Sequence, residues 1–285
     1  SLDVVVAPEI NFSILDGTSP HTLDPIMPGV NEHIIDLSVA WDKEYLKTHS
    51  EEISVLTKDN KEMHKKVADY LKVASQLETQ NVLICSSFSD ADKIERYALR
   101  LANRLLPDKK GNKKGREMKR FLSAVTPEGV FVQYDSVVAL SEEIITIEDE
   151  YSVVSPYIAE VIGDCALKKG YDVYKCYCPL FPRFKIEHII IPELKLTLFT
   201  ENSYHMTIDS ERKHIHAKRF FDAESYKKNK EKLIFQKKAK KELIDEAVRK
   251  LSLALDIHDR LEEYYIKATD FDVINSIQDK IIGQL

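Results

Sequence analysis

Residues 3–21 (DVVVAPEINFSILDGTSPH) align without a gap on residues 187–205 (EHIIIPELKLTLFTENSYH) of the same chain. Pro8, Glu9, Ser19 and His21 coincide with Pro192, Glu193, Ser203 and His205, each 184 positions further on, and apolar positions match along both flanking runs. A second block, 41–47 (WDKEYLK), matches 221–227 (FDAESYK) at a spacing of 180 after a small deletion. A chain that repeats itself must fold twice on one plan, so only a fold that both copies can adopt is admissible. The alignment divides the chain into 1–106, the later part of copy one; 107–118, a basic linker rich in Gly and Lys that reads as solvated; and 119–285, nearly all of copy two. On this plan the counterpart of 119–185 is expected ahead of Ser1.

A length of 285 residues with 44% hydrophobic content suffices for about two domains with real cores. Lys and Arg number 41 against 47 Asp and Glu, a net charge of −6, so no global positive field exists to hold nucleic acid or an anionic membrane. No apolar run approaches the roughly 20 residues of a membrane span, and the first residues lack the pattern of a signal peptide. Four cysteines (Cys85, Cys165, Cys176, Cys178) read as reduced thiols, and the expected location is cytoplasmic.

Local patterning gives the coarse structure. Residues 144–147 form a β-branched run, 157–169 carry helical spacing through Ile158, Val161, Ile162 and Ala166, and Gly170 stops that helix. Strands are expected at 171–177, 186–191 and 194–199, with 4–6 and 10–15 at the same places in copy one. Strands alternating with a helix suggest a mostly parallel βαβ sheet. Apolar or small positions Ile53, Leu56, Met63, Val67, Tyr70, Ala74 and Leu77 alternate by three and four, with polar Asn60 filling one slot. Leu243, Ala247, Leu251, Ala254, Ile257 and Leu261 make a comparable stripe, and helices at 94–106 and 273–282 follow, so each copy ends in a long helical arm.

Gly170-Tyr-Asp-Val173, Cys178-Pro179, Ile-Pro-Glu-Leu and Ser-x-His together resemble the half-repeat of a bacterial family of tandem-repeat P-loop ATPase-like proteins. The resemblance covers nearly the whole chain. It implies an α/β, P-loop NTPase-like sheet with flanking helices, internally duplicated, and ATP with Mg²⁺ as cofactors of the complete protein. The position of a Walker A loop, 149–156 (DEYSVVSP), keeps no signature residue, so copy two reads as degenerate. Ser155 is expected to cap the helix with Pro156 in its first turn. In copy one the run 10–15 ends in Asp16-Gly17, the Walker B pattern in which a strand-end carboxylate holds Mg²⁺, or else a simple turn after a strand. Asp16 is thus the candidate metal and catalytic acid, with Gly17 beside it at the nucleotide. Glu9 as a water-activating base and His21 as a phosphate sensor complete the functional reading; local satisfaction of backbone groups is the alternative.

Cys176-x-Cys178 near His188, and His214-x-His216, lack the second pair that metal ligation needs. Lysines 227, 228, 230, 232, 237, 238, 240 and 241 interleave with glutamates, as on a solvated helix face, and argue against a nucleic-acid interface. The expectation is a nucleotide-binding ATPase-like protein with its site in copy one; the alternative is a non-catalytic scaffold that binds a protein partner, or a second copy, through its helical arms.

Overall fold

The computed structural model describes residues 4–18, 23–109, 113–206 and 214–283. Along the chain run β1 (Val4–Ala7), β2 (Phe12–Leu15), α1 (Lys43–Thr48), α2 (Ser50–Ser86), α3 (Ala91–Leu105), β3 (Glu117–Arg120), β4 (Ser123–Thr126), β5 (Gly129–Val132) and α4 (Tyr134–Leu140). Then follow β6 (Glu143–Glu148), α5 (Ser155–Lys168), β7 (Val173–Tyr177), β8 (Ile186–Ile191), β9 (Leu196–Glu201), β10 (His214–His216), α6 (Ala223–Ala268) and α7 (Phe271–Ile282). Among the described residues no helix is long and apolar enough to cross a membrane.

The chain forms two compact units, one of residues 59–256 and one of 1–58 with 257–285. The larger is a mixed α/β domain. Its sheet has the order β10-β6-β9-β8-β7-β3, parallel at β10/β6, β6/β9 and β7/β3 and antiparallel at β9/β8 and β8/β7. The sheet is thus mixed, five strands running one way as the parallel expectation had them and β8 alone running against them. The reason is loop length: residues 178–185 and 192–195 are too few for the dozen or more that a parallel crossover takes. The β6–α5–β7 unit makes such a crossover and leaves β9 and β8 between its two strands.

Alternation along β6 splits the core. Ile145 and Ile147 face α5, where Ile158, Ala159 and Ile162 lie; Ile144 faces the opposite layer with Val132, Val137 and Phe199. Helix α3, which the sequence assigns to copy one, packs on α5 and buries Ile94, Ala98, Leu101 and Ala102 in this same core. The larger side chains contribute about 2 kcal/mol each. The compact units thus cut across the division at 106 and 119.

The linker is also less free than its composition suggests. Gly115 N–H donates to Leu167 O at 2.9 Å, and a Cβ on Gly115 would lie 1.9 Å from Tyr171 O. Gly170, at φ +87, ends α5 in the left-handed region beside Lys113 O. Residues 115–118 are consequently held against the end of α5 and Tyr171, and strand β3 begins within them.

In the smaller unit β1 and β2 form an antiparallel hairpin with Val4 opposite Leu15 and Ala7 opposite Phe12. Its turn is a 3-10 helix begun by Pro8 and closed by Asn11 at φ +51; Pro192 and Lys195, at φ +46, do the same between β8 and β9. The arm junctions match as well. Asp42 N–H donates to Ala268 O at 2.7 Å and Asp270 N–H to Ala40 O at 2.8 Å. In the larger unit Asp222 N–H donates to Phe88 O and Asp90 N–H to Phe220 O, both at 2.8 Å. All four aspartates also cap the helix that follows them.

Candidate functional site

Strands β6 and β9 end side by side, and the segment after β6 turns into α5. Asp149 lies in that turn. Its Oδ2 accepts the backbone N–H of Val154 at 2.7 Å and of Ser155 at 2.8 Å, and the Ser155 hydroxyl at 3.1 Å. Asp149 rather than Ser155 therefore caps α5, because a carboxylate reaching back satisfies two unpaired donors at once. Burial holds the Asp149 carboxyl above its ordinary range despite those bonds. Its neighbours turn away: Glu148 meets His216 Nδ1 at 2.5 Å, and Glu150 accepts Ser203 N–H at 3.0 Å and Lys237 at 3.1 Å.

Behind this turn sits a buried polar cluster. Ser152, held at φ +56, donates its hydroxyl to Glu78 Oε1 at 2.7 Å. Lys185 reaches the same oxygen at 3.0 Å, and Lys240 reaches Oε2 at 2.7 Å. Burial alone would raise the Glu78 carboxyl, but Lys185, Lys240 and Ser152 together hold it down to about 2. Desolvation likewise disfavours charge on Lys185, and the acidic groups around it (Cys178, Glu78, Glu187) outweigh that and raise it well above an ordinary lysine. Glu78 and Glu187 against Lys185 and Lys240 leave the cluster balanced in charge.

Glu187, His188 and His205 complete the cluster, with one ligand atom of each within 4.8 Å of the others. His188 Nδ1 accepts the Thr200 N–H at 3.0 Å, so its proton sits on Nε2. His205 Nδ1 donates to Asn202 Oδ1 at 3.1 Å, an oxygen that also accepts the N–H of Tyr204 and His205, so Nε2 keeps its lone pair. Burial lowers both imidazoles, His188 the more strongly, and keeps them neutral at pH 7. A cation would thus find two ligands, Glu187 and His205, beside the Lys185 charge 3.5 Å from Glu187. One donor facing two acceptors suits a water molecule better than a cation, since a water could accept from His188 and donate to His205 and Glu187.

The sequence candidates fall elsewhere. Asp16 follows β2, is exposed, and accepts Thr18 N–H and hydroxyl at 2.8 Å each, an Asx turn. Gly17 beside it is exposed, as is Glu9 in the hairpin turn. The ladder from Phe12 to Leu15 separates Glu9 from Asp16 by about 10 Å. The structure does not bring those two carboxylates together. His21 lies outside the described residues. Burial pushes the Cys176 thiol up to about 12 and that of Cys178 to about 11, far from the thiolate form a metal takes. Sequence reasoning passed over Glu78, Lys185, Glu187 and Lys240. The heptad phase carried the signal for two of them, since Glu78 follows Ala74 by four and Lys240 precedes Leu243 by three, opposite charges on two apolar seams.

No protein-family model, no curated protein and no solved structure matches this chain.

Proposed function

We propose that this protein is a non-catalytic scaffold, a duplicated α/β unit fastened to helical arms, and that residues 149–156 take no nucleotide. The observation that carries this reading is the Asp149 carboxylate on the α5 N-terminus. A P-loop presents such N–H groups to phosphate; here an internal anion already uses them. A triphosphate would have to displace it, since a like charge brought within about 4 Å of it costs roughly 4 kcal/mol. The residues present therefore do not suit ATP with Mg²⁺ at this position. The cluster around Glu78 favours the scaffold half of the reading, because both Glu78 oxygens are hydrogen-bonded and tie α2 and α6 to the sheet in one arrangement.

Calorimetric titration of MgATP into the full chain tests this. The expected result is no binding heat up to millimolar nucleotide. A second reading, an ATPase-like protein with Asp16 as its metal acid, is favoured by the likeness of the two hairpin turns, which makes Asp16 the counterpart of Thr200, itself paired with Ile147 of β6. Binding that Asp16→Ala abolishes would establish that reading and overturn the first. Binding that survives Asp16→Ala but is altered by Asp149→Asn would return the site to residues 149–156.

A further inference from the structure

We propose that the β1–β2 hairpin and α7 form a docking surface for a strand–helix–strand segment of the kind made by β6, α5 and β7, joined directly ahead of β1. This rests on the two hairpins being copies of one unit, and not on whether nucleotide binds. Each apolar position of the hairpin has a counterpart 184 residues on whose surroundings are known. Val5 is 48% exposed and Ile14 39%, whereas their counterparts Ile189 and Leu198 are 0% and 1%. Those counterparts are covered by α5, with β6 on the open edge of β9 and β7 on that of β8. Among the described residues the hairpin has no third strand, and two strands alone are marginal in water.

Helix α7 gives the same answer independently. It has no buried residue, and Val273, Ile274, Ile277, Ile281 and Ile282 all retain exposure. Counted from the capping aspartates Asp90 and Asp270, Ile274, Ile281 and Ile282 stand where α3 has Ile94, Leu101 and Ala102. These three are at most 4% exposed, buried against α5. Both surfaces thus lack the same covering layer, and copy two's own residues specify its chemistry: a helix with a face of Ile and Ala like Ile158, Ala159, Ile162 and Ala166 between two strands. Exposed apolar area of this extent marks an interaction site.

The test adds a second copy of residues 117–184 directly ahead of Ser1 of the full chain, the register set by the 184-residue spacing. Amide exchange across 4–15 and 271–282 is expected to slow by at least about tenfold toward that of 186–201 and 91–105, with binding of a hydrophobic dye reduced. Ile274→Lys with Ile281→Lys should cancel that protection, yet leave the thermal midpoint of the original chain unchanged. Unaltered exchange in both segments overturns the proposal, whether or not the added residues are themselves protected. So does a dimer of the original chain that this double substitution dissociates, which would assign the surface to a second copy.

Discussion

Glu78 is the residue on which the larger unit's polar cluster turns. Its folded carboxyl sits at about 2 against an ordinary 4.5, a depression worth about 3 kcal/mol. A depressed carboxyl contributes its stability above the unfolded value and loses it as pH falls, here between about 4.5 and 2. The two imidazoles act earlier. Lowered in the fold, they oppose protonation that the unfolded chain accepts, so stability also declines as pH drops below about 6.5. Glu78→Gln leaves Lys185 and Lys240 without their shared counter-ion, and denaturant unfolding at pH 7 should show a loss of about 3–5 kcal/mol that shrinks toward pH 2. A loss independent of pH would mean that shape rather than charge is at stake. These residues were hard to read in the sequence because burial reverses their surface meaning. Lys240 stands in a lysine-rich run that is otherwise largely exposed, and is itself only 5% exposed.

Among the elements, the seam was the most legible. Leu56, Val67 and Ala74 of α2 are buried as their spacing foretold, as are Ala247 and Ala254 of α6. What the spacing could not say is which helix each seam would meet. Asn60 supplies a marker: its Nδ2 donates to Ala254 O at 3.1 Å, and Lys240 meets Glu78, so within the larger unit α2 rises as α6 descends. A polar seam residue fixes register at a cost in stability. Asn60→Leu should therefore raise the thermal midpoint, by about 1 kcal/mol of stability, and light scattering should show a broader distribution of oligomers. A lower midpoint with unchanged mass would make the Asn60 hydrogen bond a net contributor. Strand placement was read to within a residue or two at β6 and β8; the reversal of β8 was not, because direction follows from loop lengths and partners that propensity does not encode.

For the whole molecule, the reach of sequence reasoning ended at exchange between segments. Assigning α3 to residues 1–106 follows the chain, whereas burial places Ile94 and Leu101 in the core of the sheet domain. Nothing local to 91–105 specifies that partner, since an apolar helix face states that it must be covered and not by what. Charge, by contrast, is a property that composition reports directly, and it decides how the basic stretch of α6 behaves. Of its lysines, Lys240 is consumed by Glu78, Lys237 by Glu150 and Lys241 by Asp245 at 2.5 Å. The remainder project from a chain with a net charge of −6, so few counterions can be released on contact with a phosphate backbone. Fluorescence polarisation with a labelled duplex at about 0.15 M salt should give a Kd no tighter than about 10⁻⁴ M. Micromolar binding whose logarithm falls with that of salt at a slope near −4 would instead show about four lysines engaging phosphates, and would make this face of α6 a nucleic-acid surface despite the acidic whole.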